Sequence, residues 1–533
     1  MRLVGRFSLA IWVGGFAAAC AKMAPLAPAP VPAPTPIRGR PVEARLARAP
    51  LPRANPKLPP VPEVDGPLHI TVIYPPEGTL ITSRDSNFIF GSVGDGRAGL
   101  TVNGTLVPVW PNGAFMGWVA NPAADAQEYR LVAYTESDTV RYVHHVRTLP
   151  PSQPRHNVTT TVVQPPRSVL LRDDSLNVTP DDTDRAIIGR PEPSGTYRWF
   201  LFPGTAGWMT GYLGDMARVR LDEGQSIWVA RRDVHVQQDV PMTPLRISRS
   251  ELLPQRDWID LHVTVSSPPA YVVDETERGV TLTLYNTTGS GQLPNPADPY
   301  LDDVQMQVTP SRVMYTFACS RPVYGYMVLY HEGVMTFRLR RPPRVDPVHP
   351  LAGLTIAVDP GHPPIGATGP TGLYEAVATL AVGERVRDML VARGATVVMT
   401  RTTPDPVALG DRPIIARRAD ANALVSIHLN ALPDGMNPFR NNGTGTYYFH
   451  VHSRRFASLV QQELVPQLGL RDLGTFRKNL ALVRPTWMPA VLTEGVFIIM
   501  PDQEAAIRTA QYQEAYACGI VNGVERFFAA FAQ

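Results

Sequence analysis

Lysine is almost missing from this chain. Lys22, Lys57 and Lys478 are the only three, so nearly all the basic charge is arginine, which we read as coding bias. Neither sign of charge dominates: 50 Lys and Arg face 47 Asp and Glu, for a formal net charge of +3. No Lys/Arg-rich run occurs, which argues against nucleic acid as a partner. Cysteine is scarce as well. Cys20, Cys319 and Cys518 exclude a disulfide-stapled scaffold, and the last two read as buried thiols. The one long apolar run, Phe7 to Ala19, is shorter than the ~20 residues that span a membrane comfortably. What is abundant is proline, 55 of 533 residues, about twice the usual ~5%. The length is too great for one core and predicts three or four units at roughly 150 residues each.

The chain reads as a series of modules. Arg2 and Arg6 precede the apolar run, and small residues lead into Cys20, which describes a secretory signal over 1–20. Ala17-Ala18-Ala19-Cys20 resembles a lipoprotein signal, although Ala17 stands where such signals carry leucine. That resemblance implies a lipid on Cys20 and membrane anchoring, with simple secretion and an uncleaved anchor as the other readings. Residues 21–65 are Pro/Ala-rich and predict a semi-rigid spacer. Between 66 and 148, short β-rich runs such as Phe88-Ile89-Phe90 alternate with turn signals such as Asn103-Gly104, as in an immunoglobulin-like β-sandwich. Residues 149–184 are polar and predict a linker. Residues 185–245, with Asp222-Glu223-Gly224 as a hairpin turn, resemble a small barrel of the Src-homology type. Residues 250–343 hold alternating strands, and their place in the chain resembles the AMIN-type domain that localises some envelope enzymes. His144-His145 and Asp181-Asp182-Thr183-Asp184 read as solvated surface.

From 350 to 533 strands alternate with helices, the βαβ signature. The apolar run Leu354–Val358 ends in the turn signal Asp359-Pro360-Gly361, and His362 follows. Leu424–Ile427 leads to His428, and Ala490–Leu492 leads to Glu494. A helix is predicted from Glu375 to about Arg393, with Val382, Val386, Met389 and Leu390 on its buried face. A long helix is predicted after Asp502. Ligands of open α/β sheets bind beyond the carboxyl ends of the strands, where these groups fall. A catalytic zinc ion takes about three protein ligands from His and Glu/Asp. His362, Glu375 and His428 meet that demand, and Glu494 is the candidate general base. Arg484 is a candidate for binding substrate carboxylates, with a surface ion pair as its alternative. His450 and His452 have the spacing of a metal pair on a strand, but lie away from the other candidates.

Several blocks, in order, carry a resemblance to a known family. They are Ile356-Ala357-Val358-Asp359-Pro360-Gly361-His362, the glycine-rich approach Gly366 to Glu375, Thr400-Arg401, Arg412, Ser426-Ile427-His428-Leu429-Asn430-Ala431, and Met488 to Gly495. This region resembles the zinc-dependent N-acetylmuramoyl-L-alanine amidases of bacterial cell walls. The resemblance implies a C-terminal α/β domain of three-layer αβα type behind β-rich N-terminal modules. It implies peptidoglycan as substrate, zinc on His362, Glu375 and His428, Glu494 as base and then acid, and a place in the periplasm or envelope, with an activator partner left open. Two other readings stand beside it: a wall-binding scaffold that has lost activity, and a zinc peptidase acting on wall peptides. Pro363-Pro364 replace the two glycines usual after the first histidine. The stretch from Leu432 to Gly445 is too short for the zinc-blocking helix that some members insert.

Overall fold

The computed structural model describes residues 47–123, 125–149, 159–172, 186–237, 243–289, 293 and 298–532. The signal 1–20 with Cys20, most of the spacer 21–65 and Asp181 to Asp184 lie outside the described residues.

Seven strands between 71 and 145 form two sheets. One orders Thr71–Tyr74, Ser86–Ser92 and Ala114–Ala120; the other orders Thr105–Val107, Gly99–Val102, Glu128–Tyr134 and Thr139–His145. Alternation decides which face turns inward: along Glu128–Tyr134 the buried residues are Tyr129, Leu131 and Ala133. His144, expected at the surface, is buried. Its ring lies 2.7 Å from Glu77 and 2.8 Å from the Pro75 carbonyl, while His145 stays exposed.

The linker expected over 149–184 is only partly irregular. Thr161–Leu171 is a strand, placed between Ala206–Leu213 and Val234–Val236 in a five-stranded sheet with Met216–Asp222 and Gln225–Ala230. Pro165 and Pro166 obscured it, because proline reads as a strand breaker. The pairing register shifts between Val162 and Arg167, so the ladder skips the two prolines. A second sandwich follows from two four-stranded antiparallel sheets. One orders Arg249–Pro254, Trp258–Thr264, Val334–Arg340 and Gly325–His331; the other orders Ala270–Glu275, Gly279–Tyr285, Arg312–Cys319 and Leu301–Val308. Its core is continuous with that of the preceding sheet, from Leu221 and Val229 to Leu261 and Phe337. Cys319 and Cys518 are free thiols.

The C-terminal domain contains strands β1 (Thr355–Pro360), β2 (Thr396–Met399), β3 (Ala423–Asn430), β4 (Thr444–Tyr448), β5 (Asp472–Arg477) and β6 (Ala490–Phe497), in the order β2-β1-β3-β6-β4-β5. β1, β2, β3 and β6 are parallel, and β4 runs antiparallel to β6. The helices are α1 (Glu375–Ala392), α2 (Asp411–Arg418), α3 (Arg454–Leu468), α4 (Pro501–Ile507) and α5 (Ala510–Ala529). Ile356, Val358, Val425, Ile427 and Val491 share a core with α1, α3 and α5. Side chains one residue along each strand, Ala357, Leu424 and Ala490, face Ala416 of α2, Leu482 and Trp487, with Trp258 and Met327 of the second sandwich against them. The central strands are therefore apolar on both faces, as buried parallel strands must be. The predicted terminal helix is two helices. Thr509 breaks it by accepting from the Tyr512 amide through its side chain, a new N-cap.

Candidate active site

β1 delivers the first histidine. The strand ends at Pro360, and His362 follows in the left-handed region at φ 60°, a conformation costly for a side chain with a Cβ and concentrated at functional sites. Two arginines hold this turn. Arg412 donates to the carbonyls of Pro360, His362 and Pro363 at 2.9–3.0 Å. Arg401 donates to the carbonyls of Pro360 and Gly361 and, across to α1, of Ala376. Arg412 also pairs with Asp359 at 2.8 Å, both side chains buried. Asp359 accepts from Ser426 and Thr400 as well. Burial opposes its charge, yet Arg412 and the two hydroxyls outweigh that and hold its carboxyl below the usual range.

β3 delivers the second histidine, two residues inside its carboxyl end. Gly361 makes room for it: a Cβ there would lie within 2.5–2.7 Å of the His428 ring. Glu375 opens α1 and reaches both rings. Its Oε2 lies 3.2 Å from His362 Nε2, and its Oε1 lies 3.2 Å from His428 Nδ1. The remaining lone pairs accept from the amides of Ala367 and Leu429, each at 2.9 Å. Burial raises the pKa of Glu375, but the two histidines win and it falls well below the carboxylate range. Burial likewise depresses His428, and Glu375 reverses the sign, so its pKa is raised. One donor atom from each of His362, Glu375 and His428 lies within 4.8 Å of the others, and no other such group of three occurs among the described residues.

Glu494 enters from β6, directly across the ladder from His428. Its Oε2 is buried without a hydrogen-bond partner. Burial pushes its carboxyl up to about 8, with Glu375 adding to the shift and His428 opposing it. Tyr516 of α5 braces both strands. Its hydroxyl lies 3.0 Å from the His428 carbonyl and 2.8 Å from the Gly495 amide that donates to it.

The fold thus brings together four of the predicted residues: His362, Glu375, His428 and Glu494. Arg484 goes elsewhere: its guanidinium stacks over Tyr197 at 4.9 Å and donates to Asn479. His450 and His452 face Glu275 of the second sandwich from a short 3-10 turn beyond β4. The supporting roles of Asp359, Arg401, Arg412 and Tyr516 escaped sequence reasoning. A buried arginine leaves no periodic signal, and only the family blocks flagged Arg401 and Arg412.

Two histidines and a carboxylate converging at strand ends, beside a buried carboxyl with one unpartnered oxygen, define the class: an α/β domain of mostly parallel sheet built around a candidate metal centre. The sequence model for N-acetylmuramoyl-L-alanine amidases matches residues 356–526. The uncharacterized protein YqiI of Bacillus subtilis is 33% identical over 192 residues, 35% of this chain and 90% of YqiI. The N-acetylmuramoyl-L-alanine amidase LytC of the same organism is 33% identical over 186 residues, 34% of this chain and 36% of LytC. A crystal structure of an N-acetylmuramoyl-L-alanine amidase from Clostridium difficile 630 is 33% identical. It aligns with 33% of this chain and 97% of that one, at a TM-score of 0.31. The chain belongs to the N-acetylmuramoyl-L-alanine amidase family.

Proposed function

We propose that this protein hydrolyses the amide bond between N-acetylmuramic acid and L-alanine in peptidoglycan, as a zinc enzyme that remodels the cell wall. The observation that carries the reading is the convergence of His362, Glu375 and His428, with Glu494 across the strand register. The donor set suits zinc. Two imidazoles and one carboxylate make the three-ligand set that leaves a position open for water or substrate, and the four backbone and ring neighbours of Glu375 fix its two oxygens. When bound, zinc would supply Lewis acidity, activating water and polarising the scissile carbonyl. Glu494 takes the proton of the attacking water and then hands it to the leaving nitrogen of L-alanine. Burial raises this carboxyl in the metal-free chain, and a zinc cation held beside it would favour the charged form again, leaving a carboxylate able to take that proton and return it. Arg401 and Arg412 hold the His362 turn, and Tyr516 holds the His428 strand against the Glu494 strand.

Export belongs to the same reading. The basic start, the apolar run and Cys20 support delivery to the envelope, with a lipid on Cys20 as the anchor and the Pro/Ala-rich spacer as reach.

Metal content together with digestion of purified peptidoglycan tests the proposal. We expect one zinc per chain, new L-alanine amino termini, and glycan strands that lack stem peptide by mass spectrometry. Cleavage inside the stem peptide would make the protein a peptidase, and no cleavage with no zinc would make it a scaffold.

A further inference from the structure

The first sandwich does more than precede the catalytic domain. It grips the loop that leaves the His428 strand. β3 ends at Asn430, and the chain returns as β4 at Thr444. The loop between them leaves from the carboxyl end of the sheet, the side on which ligands of such sheets bind, two positions after Leu429, whose amide donates to Glu375. Residues 431–443 contain no helix or strand. Turn hydrogen bonds around Asn437 order part of it from within, and the rest of its order comes from contacts outside it.

Asp434 receives those contacts. Its carboxylate accepts from the Tyr74 hydroxyl, from the Thr82 amide at 2.7 Å, from the Thr82 hydroxyl at 2.9 Å and from Asn87 Nδ2 at 2.8 Å. Asn87, fully buried, accepts in return from the Gly435 amide at 3.1 Å. All four donors to Asp434 belong to the sandwich. Gly435 permits the approach: its φ is +81°, and a Cβ there would lie 2.9 Å from the Ser83 Cβ. Beneath these polar contacts Tyr74, Phe88 and Phe90 stack with ring centroids 4.8–6.2 Å apart. Phe88, Phe90, Trp110 and Met116 of the sandwich share one core with Val425 and Ile427 of β3 and with Ile498 and Met500, and Leu432 and Phe439 of the loop pack against that core. The far end of the loop is tied separately, where Gln503 donates to Asn442 and accepts from the Phe497 amide.

We propose that Asp434 is a positioning residue for the amidase reaction, through which the first sandwich holds residues 431–443 as a preformed wall of the substrate cleft. The proposal rests on the amidase reading. Asp434 touches no reacting atom. It acts on how well the polymer is held, because an ordered wall spares the cost of ordering it when substrate binds.

The test is steady-state cleavage of soluble peptidoglycan fragments by the full chain, with zinc content and thermal unfolding measured alongside. Asp434→Asn replaces one of the two accepting oxygens by an NH2, which must face either Asn87 and Tyr74 or Thr82, and so weakens the clamp at nearly constant volume. We expect KM to rise about tenfold with kcat within about twofold and zinc unchanged. Thr82→Val removes one donor and leaves the fold intact, and it is expected to raise KM about threefold. The reversed pair, Asn87→Asp with Asp434→Asn, restores complementarity and should bring KM back to within about threefold of wild type. A purely structural contact would lower the unfolding midpoint and the active fraction, hence kcat, with KM unmoved; that result overturns the proposal. So does an unrescued reversed pair. A wild-type chain that binds zinc but releases no amidase product overturns the amidase reading and this inference with it, whereas an active wild type with unchanged KM in Asp434→Asn overturns this inference alone.

Discussion

His428 and Glu494 face each other in register across the parallel strands β3 and β6. A metal-ligand candidate and the proposed base therefore keep their spacing through a backbone ladder, not through flexible loops. The ladder is braced from α5 by Tyr516, which touches the backbone of both strands. Catalytic groups on strands are held more tightly than groups on loops.

Replacing Glu494 with glutamine keeps the shape and removes the proton acceptor. Loss of a positioned general base costs about 10²–10⁴-fold in rate. We expect kcat to fall by that factor while zinc stoichiometry stays at the wild-type value, measured by metal analysis on the same preparation. Full activity in Glu494→Gln would require another base.

The same carboxyl gives a pH signature in protein stripped of metal by chelation. Burial raises its folded pKa from the ordinary 4.5 to about 8. Between those values the unfolded chain has already released this proton and the folded chain has not. Stability therefore falls as pH rises from about 4.5 towards 8. His428, also raised, adds a decline of the same sign. The unfolding midpoint of the metal-free wild type is expected to drop across this window, and the drop should be shallower in Glu494→Gln. Superimposable profiles would show that Glu494 is not held protonated by burial.

The sequence disclosed this site because each group follows an apolar run that must be a strand. Leu354–Val358, Leu424–Ile427 and Ala490–Leu492 each lead into a candidate residue. β1 and β3 run two or three residues further than their apolar runs, because Asp359 and His428 are polar yet paired in the ladder. The supports were less legible. Asp359 and Arg412 are 53 positions apart, and nothing local says that they meet. The strand Thr161–Leu171 was hidden by its prolines. Arg484 reads as a substrate contact or a surface ion pair, because an arginine near an active-site strand carries no mark of the partner it will choose. Its partner, Tyr197, belongs to a module that sequence alone could not dock.

Asp359 and Arg412 form an ion pair with side chains 0% and 4% exposed. Removing one charge of a buried pair costs about 3–5 kcal/mol, because the other is left uncompensated. Asp359→Asn should therefore lower stability by that amount in denaturant titration. It should also weaken zinc binding, since Arg412 holds the carbonyls of His362 and Pro363. The double variant Asp359→Asn with Arg412→Met should be less unstable than the sum of the two single changes.

The second sandwich docks on the catalytic domain through charge that water does not reach. Arg340, 5% exposed at its side chain, donates to the carbonyls of Ala421 and Trp487 and pairs with Asp420. Beside it, the Glu275 side chain, 4% exposed, lies 3.3 Å from His450 Nδ1 and 3.1 Å from His452 Nδ1. His450 is fixed from the other side, since its Nε2 donates to the Arg484 carbonyl at 2.8 Å. Burial works against the charge on Glu275, but the two histidines prevail and hold its pKa well below the ordinary 4.5. A carboxyl depressed in the folded state contributes stability above its unfolded pKa and loses it as pH falls through the folded value. The contribution of Glu275 to the wild type should thus stay constant down to about pH 4.5 and be lost below it. Glu275→Gln replaces the charged acceptor that both histidines face, so it should start about 1.5–3 kcal/mol lower at neutral pH. Its acid-side loss should also be flatter, because the variant has no carboxyl there to titrate. Parallel acid limbs in the two proteins would mean that Glu275 does not carry the charge that joins these domains.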